Sequence, residues 1–179
     1  MKVKDVMVGT VVTCSANDDL NRAAQIMWEN DCGIVPVVEA DDYLVGVISD
    51  RDALMSAYTR GLPLTEIRVG DVMSRTLKSC RPDEDASVLG TSMRSQRVRR
   101  LPVVNALGRL VGIVSLSDLA RRAAIERGSA SKGMSLESVA ETLASVSQPW
   151  NSAAEKPVPT PAVNGATKDP ALLRPQRAR

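Results

Sequence analysis

The 179-residue sequence contains no histidine and no phenylalanine, and its aromatic residues are two tryptophans and two tyrosines. Ser-His-Asp and Cys-His nucleophile systems, the HExxH metal helix and Cys/His zinc sites all need an imidazole as base or ligand, so each is excluded. The shortage of rings leaves few platforms for stacking single-stranded nucleic acid. Three cysteines, Cys14, Cys32 and Cys80, have no CxxC spacing, which supports neither a disulfide framework nor a thiolate metal site and fits a reducing compartment. No apolar run approaches the roughly eighteen residues of a membrane span, and MKVKDVM at the start lacks the apolar stretch of a signal peptide. The expectation is a cytoplasmic protein with no membrane contact.

What is present is a globular composition, 44% hydrophobic and 25% charged, with a core to be built from Val, Leu, Ile, Met and Ala. A formal net charge of +2 hides an asymmetry: residues 1–60 carry five basic and ten acidic side chains, and residues 61–127 carry twelve and seven. Such a distribution can steer an anionic ligand, or the approach of a second chain, toward one half.

The dominant feature is an internal repeat. Shifting the sequence by 66 positions lays VKDVM (Val3 to Met7) over VGDVM (Val69 to Met73), Cys14 over Cys80 and Met27 over Met93. The same shift, with no gap, lays the PVV at Pro36 over that at Pro102, the LVG at Leu44 over that at Leu110, and Ser49 and Asp52 over Ser115 and Asp118. Roughly one position in three is identical over about fifty residues, and two copies of this length suggest a pseudo-symmetric pair rather than a solenoid.

Each copy reads as β-α-β-β-α. The first strand candidates are Thr10 to Cys14 and Thr76 to Cys80. Helices follow with apolar residues at helical spacing, Leu20, Ala23 and Met27 in one copy and Ala86, Leu89 and Met93 in the other, where Gly90 is a weak point. A hairpin comes next, Ile34–Val38 with Leu44–Ile48 and Leu101–Val104 with Leu110–Val114. The last helices run from about Asp50 to Arg60 and from about Ser117 to Arg127, with Gly61 and Gly128 as stops. Beyond Gly128, Ser135 can cap a short amphipathic helix with Leu136, Val139, Leu143 and Val146 on one stripe. Residues 149–179 have the Pro, Ala, Lys and Thr-rich composition of a disordered tail.

The sharpest local signal is Ser-x-x-Asp where a strand meets a helix, in GVISDRD (Gly46 to Asp52) and GIVSLSD (Gly112 to Asp118). One reading is a capping box that satisfies orphan amides. The other is a ligand site, because free amides and a hydroxyl at a helix start attract phosphate while a carboxylate accepts from two vicinal ribose hydroxyls. The two readings are compatible. The copies differ in charge: Arg51 lies inside the first motif where Ser117 stands in the second, and Arg99 and Arg100 precede the second PVV where the first copy has Gly33 and Ile34. The cleft that gains these arginines suits a nucleotide carrying several phosphates. Cys14 and Cys80 read as core filler rather than redox groups.

The ungapped duplication, with DVM near each start, a central PVV and L-V-G followed by two apolar residues and Ser-x-x-Asp, resembles a tandem pair of cystathionine-β-synthase (CBS) domains, a Bateman module, over about Met1 to Gly128. The resemblance implies an α/β (α+β) chain of two β-α-β-β-α units about a pseudo-twofold axis: residues 1–61 as the first repeat, 62–128 as the second, 129–148 as a helical extension and 149–179 as a tail. It further implies two inter-repeat clefts for adenosine-bearing ligands (AMP, ADP, ATP or S-adenosylmethionine), and assembly into a homodimer. By the same resemblance Asp52 and Asp118 hold ribose hydroxyls and Ser49 and Ser115 contact phosphate. Val35 with Pro36, and Leu101 with Pro102, then line the adenine pocket, and Thr13 and Ser79 approach it. Arg51 and Arg100 are the cationic candidates. The expected function is a regulatory sensor of adenine nucleotides, with no catalytic domain, no cofactor and no metal, acting on its own dimer geometry or on a regulated protein partner. A ligand-independent dimerising scaffold is the alternative. Nucleic-acid binding through Arg94 to Arg100 is weaker still, given few aromatics and a modest net charge.

Overall fold

The structure, a computed structural model, describes residues 1–125 and 135–148. The expected stop at Gly128 and the tail from residue 149 lie outside the described residues. The first repeat contains α1 (Leu20–Glu29), β1 (Ile34–Val38), β2 (Leu44–Ser49) and α2 (Asp50–Arg60). The second contains α3 (Val88–Gln96), β3 (Arg100–Val104), β4 (Leu110–Ser115) and α4 (Leu116–Ile125), and α5 (Leu136–Val146) follows.

Local chemistry accounts for the helix ends. Asp19 caps α1 by accepting from the Arg22 amide at 2.9 Å, and Ser135 caps α5 by accepting from the Ser138 amide at 3.1 Å. Gly61 ends α2 in the left-handed region, at φ +63°, where it donates to the Ala57 carbonyl and a side chain would be strained. In the second repeat Ala86 is buried but precedes α3, which starts at Val88.

The two leading strands are not formed as expected. Thr10 to Cys14 and Thr76 to Cys80 each enter the sheet through one parallel bridge, Cys14 with Val37 and Cys80 with Val103. The Cys14 amide donates to the Pro36 carbonyl at 3.2 Å and the Val38 amide donates to the Cys14 carbonyl at 2.9 Å. Continuing that parallel ladder by one step would require the carbonyl of Val12 to accept from the amide of residue 36, and proline has none. Pro102 stops Lys78 in the same way. Each sheet is therefore an antiparallel pair, β1 with β2 and β3 with β4, each with an irregularity in register, after Val37 and after Val103.

Two cores are present, and each contains a segment carried by the other copy. Val3 is buried with Leu89, Met93, Leu101 and Val114 of the second repeat, while Ile67 and Val69 are buried with Leu20, Ile26, Val35 and Ile48 of the first. Backbone bonds fix the exchange: the amides of Val3 and Val8 donate to Glu84 and Ile113, and those of Val69 and Val47 donate to Asp18 and Ser74. The glycines of the two LVG motifs lie beneath these segments. A Cβ on Gly112 would stand 2.9 Å from the Val8 carbonyl oxygen, and one on Gly46 would stand 2.5 Å from Met73 Sδ. The hairpin turns also meet, through Leu44 donating to the Gly108 carbonyl and an Asp41–Arg109 ion pair of 3.2 Å.

Helix α5 packs on α3 and α4 and buries Val139 and Thr142. Gly90 is the point of close approach, since a Cβ there would lie 3.0 Å from Thr142 Oγ1. The residue that costs α3 helix propensity is thus the one that lets α5 dock. Arg94 spans the joint, donating to Thr142 Oγ1 at 2.8 Å and to the Ser138 carbonyl at 3.4 Å.

Candidate functional site

Both Ser-x-x-Asp motifs fold as capping boxes at the junctions β2–α2 and β4–α4. Ser49 accepts from the Asp52 amide at 3.2 Å, and Asp52 Oδ2 accepts from the Ser49 amide at 3.1 Å and from its hydroxyl at 2.6 Å. Ser115 and Asp118 repeat the arrangement at 3.2, 2.8 and 2.5 Å. The capping function is therefore present in both. What remains for a ligand differs between them: Asp118 Oδ1 is held by the Arg121 guanidinium, whereas Asp52 uses only Oδ2 in its recorded hydrogen bonds.

Each junction faces a cavity between the repeats. A cavity of 650 Å³ is lined by Ser49, Arg51 and Asp52 from the first copy and by Thr76, Lys78 and the stretch Arg97 to Arg100 from the second. A smaller one, of 290 Å³, is lined by Ser115 and Asp118 together with Thr10, Val12, Ile34 and Pro36. The shift of 66 relates their walls residue by residue: Thr76 answers Thr10, Pro102 answers Pro36 and Val47 answers Ile113, but Lys78 answers Val12 and Arg100 answers Ile34. The Ser49–Asp52 cleft thus carries Arg51, Lys78, Arg97 and Arg99, none of which lines the Ser115–Asp118 cleft. Arg100 and its counterpart Ile34 each line both clefts.

Among the residues singled out from the sequence, Ser49, Arg51, Asp52, Arg100 and Pro102 come together in the larger cleft, and Ser115, Asp118 and Pro36 in the smaller. Val35 and Leu101 are fully buried in the two cores, so only their backbone is available to a ligand. Thr13 and Ser79 are absent from the recorded lining of both clefts, whose walls take Thr10 and Val12, or Thr76 and Lys78, from the same segments. Lys78 was missed, although its pairing with Val12 is a charge difference of the same kind as Arg51 against Ser117. The end of α5 was missed too: Val146, Ser147 and Gln148 line the larger cleft. Arg94, Arg97 and Arg99 are engaged with α5 rather than arrayed as a free basic face, through Thr142, the Gln148 carbonyl at 3.0 Å and Ser147 Oγ at 3.3 Å.

Cys14 and Cys80 are buried away from both clefts, whereas Cys32 lines the smaller one. Burial pushes Cys14 and Cys80 up to about 12 from an ordinary 9.0, aided by the nearby charge of Asp18 for the first and of Glu84 for the second. A raised thiol pKa contributes stability that is complete below pH 9.0 and is lost as pH rises toward about 12. A thiol-reactive dye at pH 8 is expected to label only the half-buried Cys32 in native protein and all three cysteines after unfolding, and the denaturation midpoint should fall from pH 9 upward. Equal labelling of all three in the native state would contradict the burial.

The family model of the CBS domain matches residues 3–58 and 69–125. The chain is 40% identical over 121 residues to the CBS domain-containing protein YhcV of Bacillus subtilis, covering 66% of this chain and 82% of that one. The crystal structure of Hypoxic Response Protein I with two coordinated zinc ions superposes with a TM-score of 0.62 at 30% identity, covering 68% of this chain and 98% of that one. Among the described residues here, no group of three or more His, Cys, Asp or Glu could hold a metal ion. The CBS domain pair of protein MJ0100, in complex with 5′-methylthioadenosine and S-adenosyl-L-methionine, superposes with a TM-score of 0.61 at 25% identity, covering 68% of this chain and 98% of that one. Two longer relatives are enzymes of which the chain spans 23%. No helix among the described residues is long and apolar enough to cross a membrane.

Proposed function

The chain belongs to the CBS domain family, and from that premise we propose that it is a regulatory module that binds adenosine-containing ligands in the clefts between its repeats. The observation that carries the reading is the twice-built Ser-x-x-Asp junction, each copy facing an inter-repeat cavity. In the larger cleft Asp52 Oδ1 is the acceptor for ribose hydroxyls, Ser49 and Arg51 lie at the start of α2 beside the phosphate position, and Thr76 and Pro102 belong to the wall that takes the purine. Lys78 and Arg100 add charge-assisted hydrogen bonds to a phosphate tail, which favours ADP or ATP there. The smaller, less cationic cleft suits an adenosyl ligand without such a tail, such as S-adenosylmethionine.

Binding rather than catalysis is the role assigned, with signalling through the relative orientation of the repeats, through a homodimer or through a regulated protein partner. Ligands that touch both repeats shift such an equilibrium by their difference in affinity for its states. Trp28, Leu54 and Tyr58, exposed on the mutually packed α1 and α2, support a second copy as part of the assembly. The free cysteines support a reducing, cytoplasmic setting. Calorimetric titration with AMP, ADP, ATP and S-adenosylmethionine tests the reading: heat is expected from at least one, tightest for ATP, and none from any of them would overturn it. The completed capping boxes favour a second reading, a ligand-independent scaffold, which that null result would leave standing.

A further inference from the structure

Helix α5 ends on the cationic cleft. The Arg97 guanidinium donates to the Gln148 carbonyl at 3.0 Å and Arg99 donates to Ser147 Oγ at 3.3 Å, and both arginines line the 650 Å³ cavity together with Val146, Ser147 and Gln148. The C-terminal end of a helix carries partial negative charge on unsatisfied carbonyls, and cationic side chains are drawn to it. A phosphate tail is attracted by the same guanidinium groups and repelled by the same carbonyls. The residues that follow α5 and the ligand proposed for the cleft thus draw on the same donors.

Beyond Thr142 no described residue of the joint is buried. Val139 and Thr142 are buried and Val146 packs partly buried against the second core, while the polar bonds to α5 and the residues after it come from Arg94 at its middle and from Arg97 and Arg99 at its end. Gly90 keeps the contact close without a side chain of its own. A helix end with few buried apolar contacts opens locally at a cost below global unfolding.

We infer that α5 is a ligand-displaced latch: a nucleoside polyphosphate in the Ser49–Asp52 cleft takes Arg97 and Arg99 from the end of α5 and frees that helix from α3. The inference rests on the proposed nucleotide site and adds its regulation. Because coupling is reciprocal, any factor by which undocking improves binding is the factor by which binding favours undocking. Ligands without a polyphosphate tail leave the latch closed.

Hydrogen exchange of the full chain, with and without saturating ATP, tests this, with binding established separately by calorimetry. ATP is expected to speed exchange at the amides of residues 139–148 while slowing it at the start of α2, and adenosine to leave residues 139–148 unchanged. Thr142→Arg, which places a second cation against Arg94, and Gly90→Leu, which fills the point of approach from the other side, should each undock α5 and tighten ATP binding about tenfold, the worth of one charge-assisted hydrogen bond. Calorimetric binding with unchanged or slowed exchange in α5 would overturn the latch and leave the nucleotide site standing. Absence of binding by any adenine nucleotide or by inorganic triphosphate would overturn both.

Discussion

Asp52→Ala is expected to weaken ATP binding by about two orders of magnitude, because a carboxylate that accepts two hydroxyls makes two charge-assisted hydrogen bonds of about 1.5–3 kcal/mol each. The same change removes one arm of the capping box, which costs about 1 kcal/mol of stability. Both effects arise at one side chain, so the control must separate them. Ser49→Ala deletes the hydroxyl that accepts from the Asp52 amide and leaves the carboxylate, so it should lose similar stability and far less affinity. Asp118→Ala should cost ATP little, since Oδ1 there is already held by Arg121, its cleft has Val12 where the other has Lys78, and none of Arg51, Arg97 and Arg99 lines it. Calorimetry and thermal melting of the three variants decide the matter. If Asp52→Ala and Ser49→Ala melt alike and bind ATP like the parent, the carboxylate is a cap and nothing more.

The duplication made most of this arrangement legible before any coordinates. The helix end at Gly61, the two hairpins and the caps at Ser49 and Ser115 all follow from local rules, because capping and turn chemistry act over a few residues. The leading strands failed for a reason that was also local. A parallel partner for Pro36 or Pro102 meets a missing amide one step from the bridge, and weighing that absence would have shortened both. Part of the difference between the clefts was visible as an unmatched charge, Arg99 against Gly33, but its assignment to the Ser49–Asp52 cleft was not. That required knowing that the walls of each cavity come from different copies, which is tertiary information. The end of α5 in the cleft was invisible for the same reason: nothing in the stripe of Leu136, Val139 and Leu143 says which surface it meets.

Val3→Asp should loosen the second repeat rather than the first, although Val3 stands at the head of the first copy in sequence. Its side chain is fully buried among Leu89, Leu101 and Val114, where a carboxylate finds no cation, and an uncompensated buried charge costs about 3–5 kcal/mol. Against a typical domain stability of about 5–15 kcal/mol that is a large share. Val69→Asp is the mirror experiment and should strike the core of Leu20, Ile26 and Ile48. Hydrogen exchange by region reads the outcome, with β3 and β4 losing protection first in Val3→Asp and β1 and β2 first in Val69→Asp; the reverse order would refute the exchange of segments. The segments that cross over run directly into cleft walls, Val8 into Thr10 and Val12, and Ser74 into Thr76 and Lys78. Each cleft also takes wall from the opposite repeat, Ile34 and Pro36 in the smaller and Arg100 and Pro102 in the larger, so a ligand seated there would touch both. A ligand that touches both repeats would shift their relative orientation by its difference in affinity for the two arrangements, which is how the proposed module would report on a ligand without transforming it.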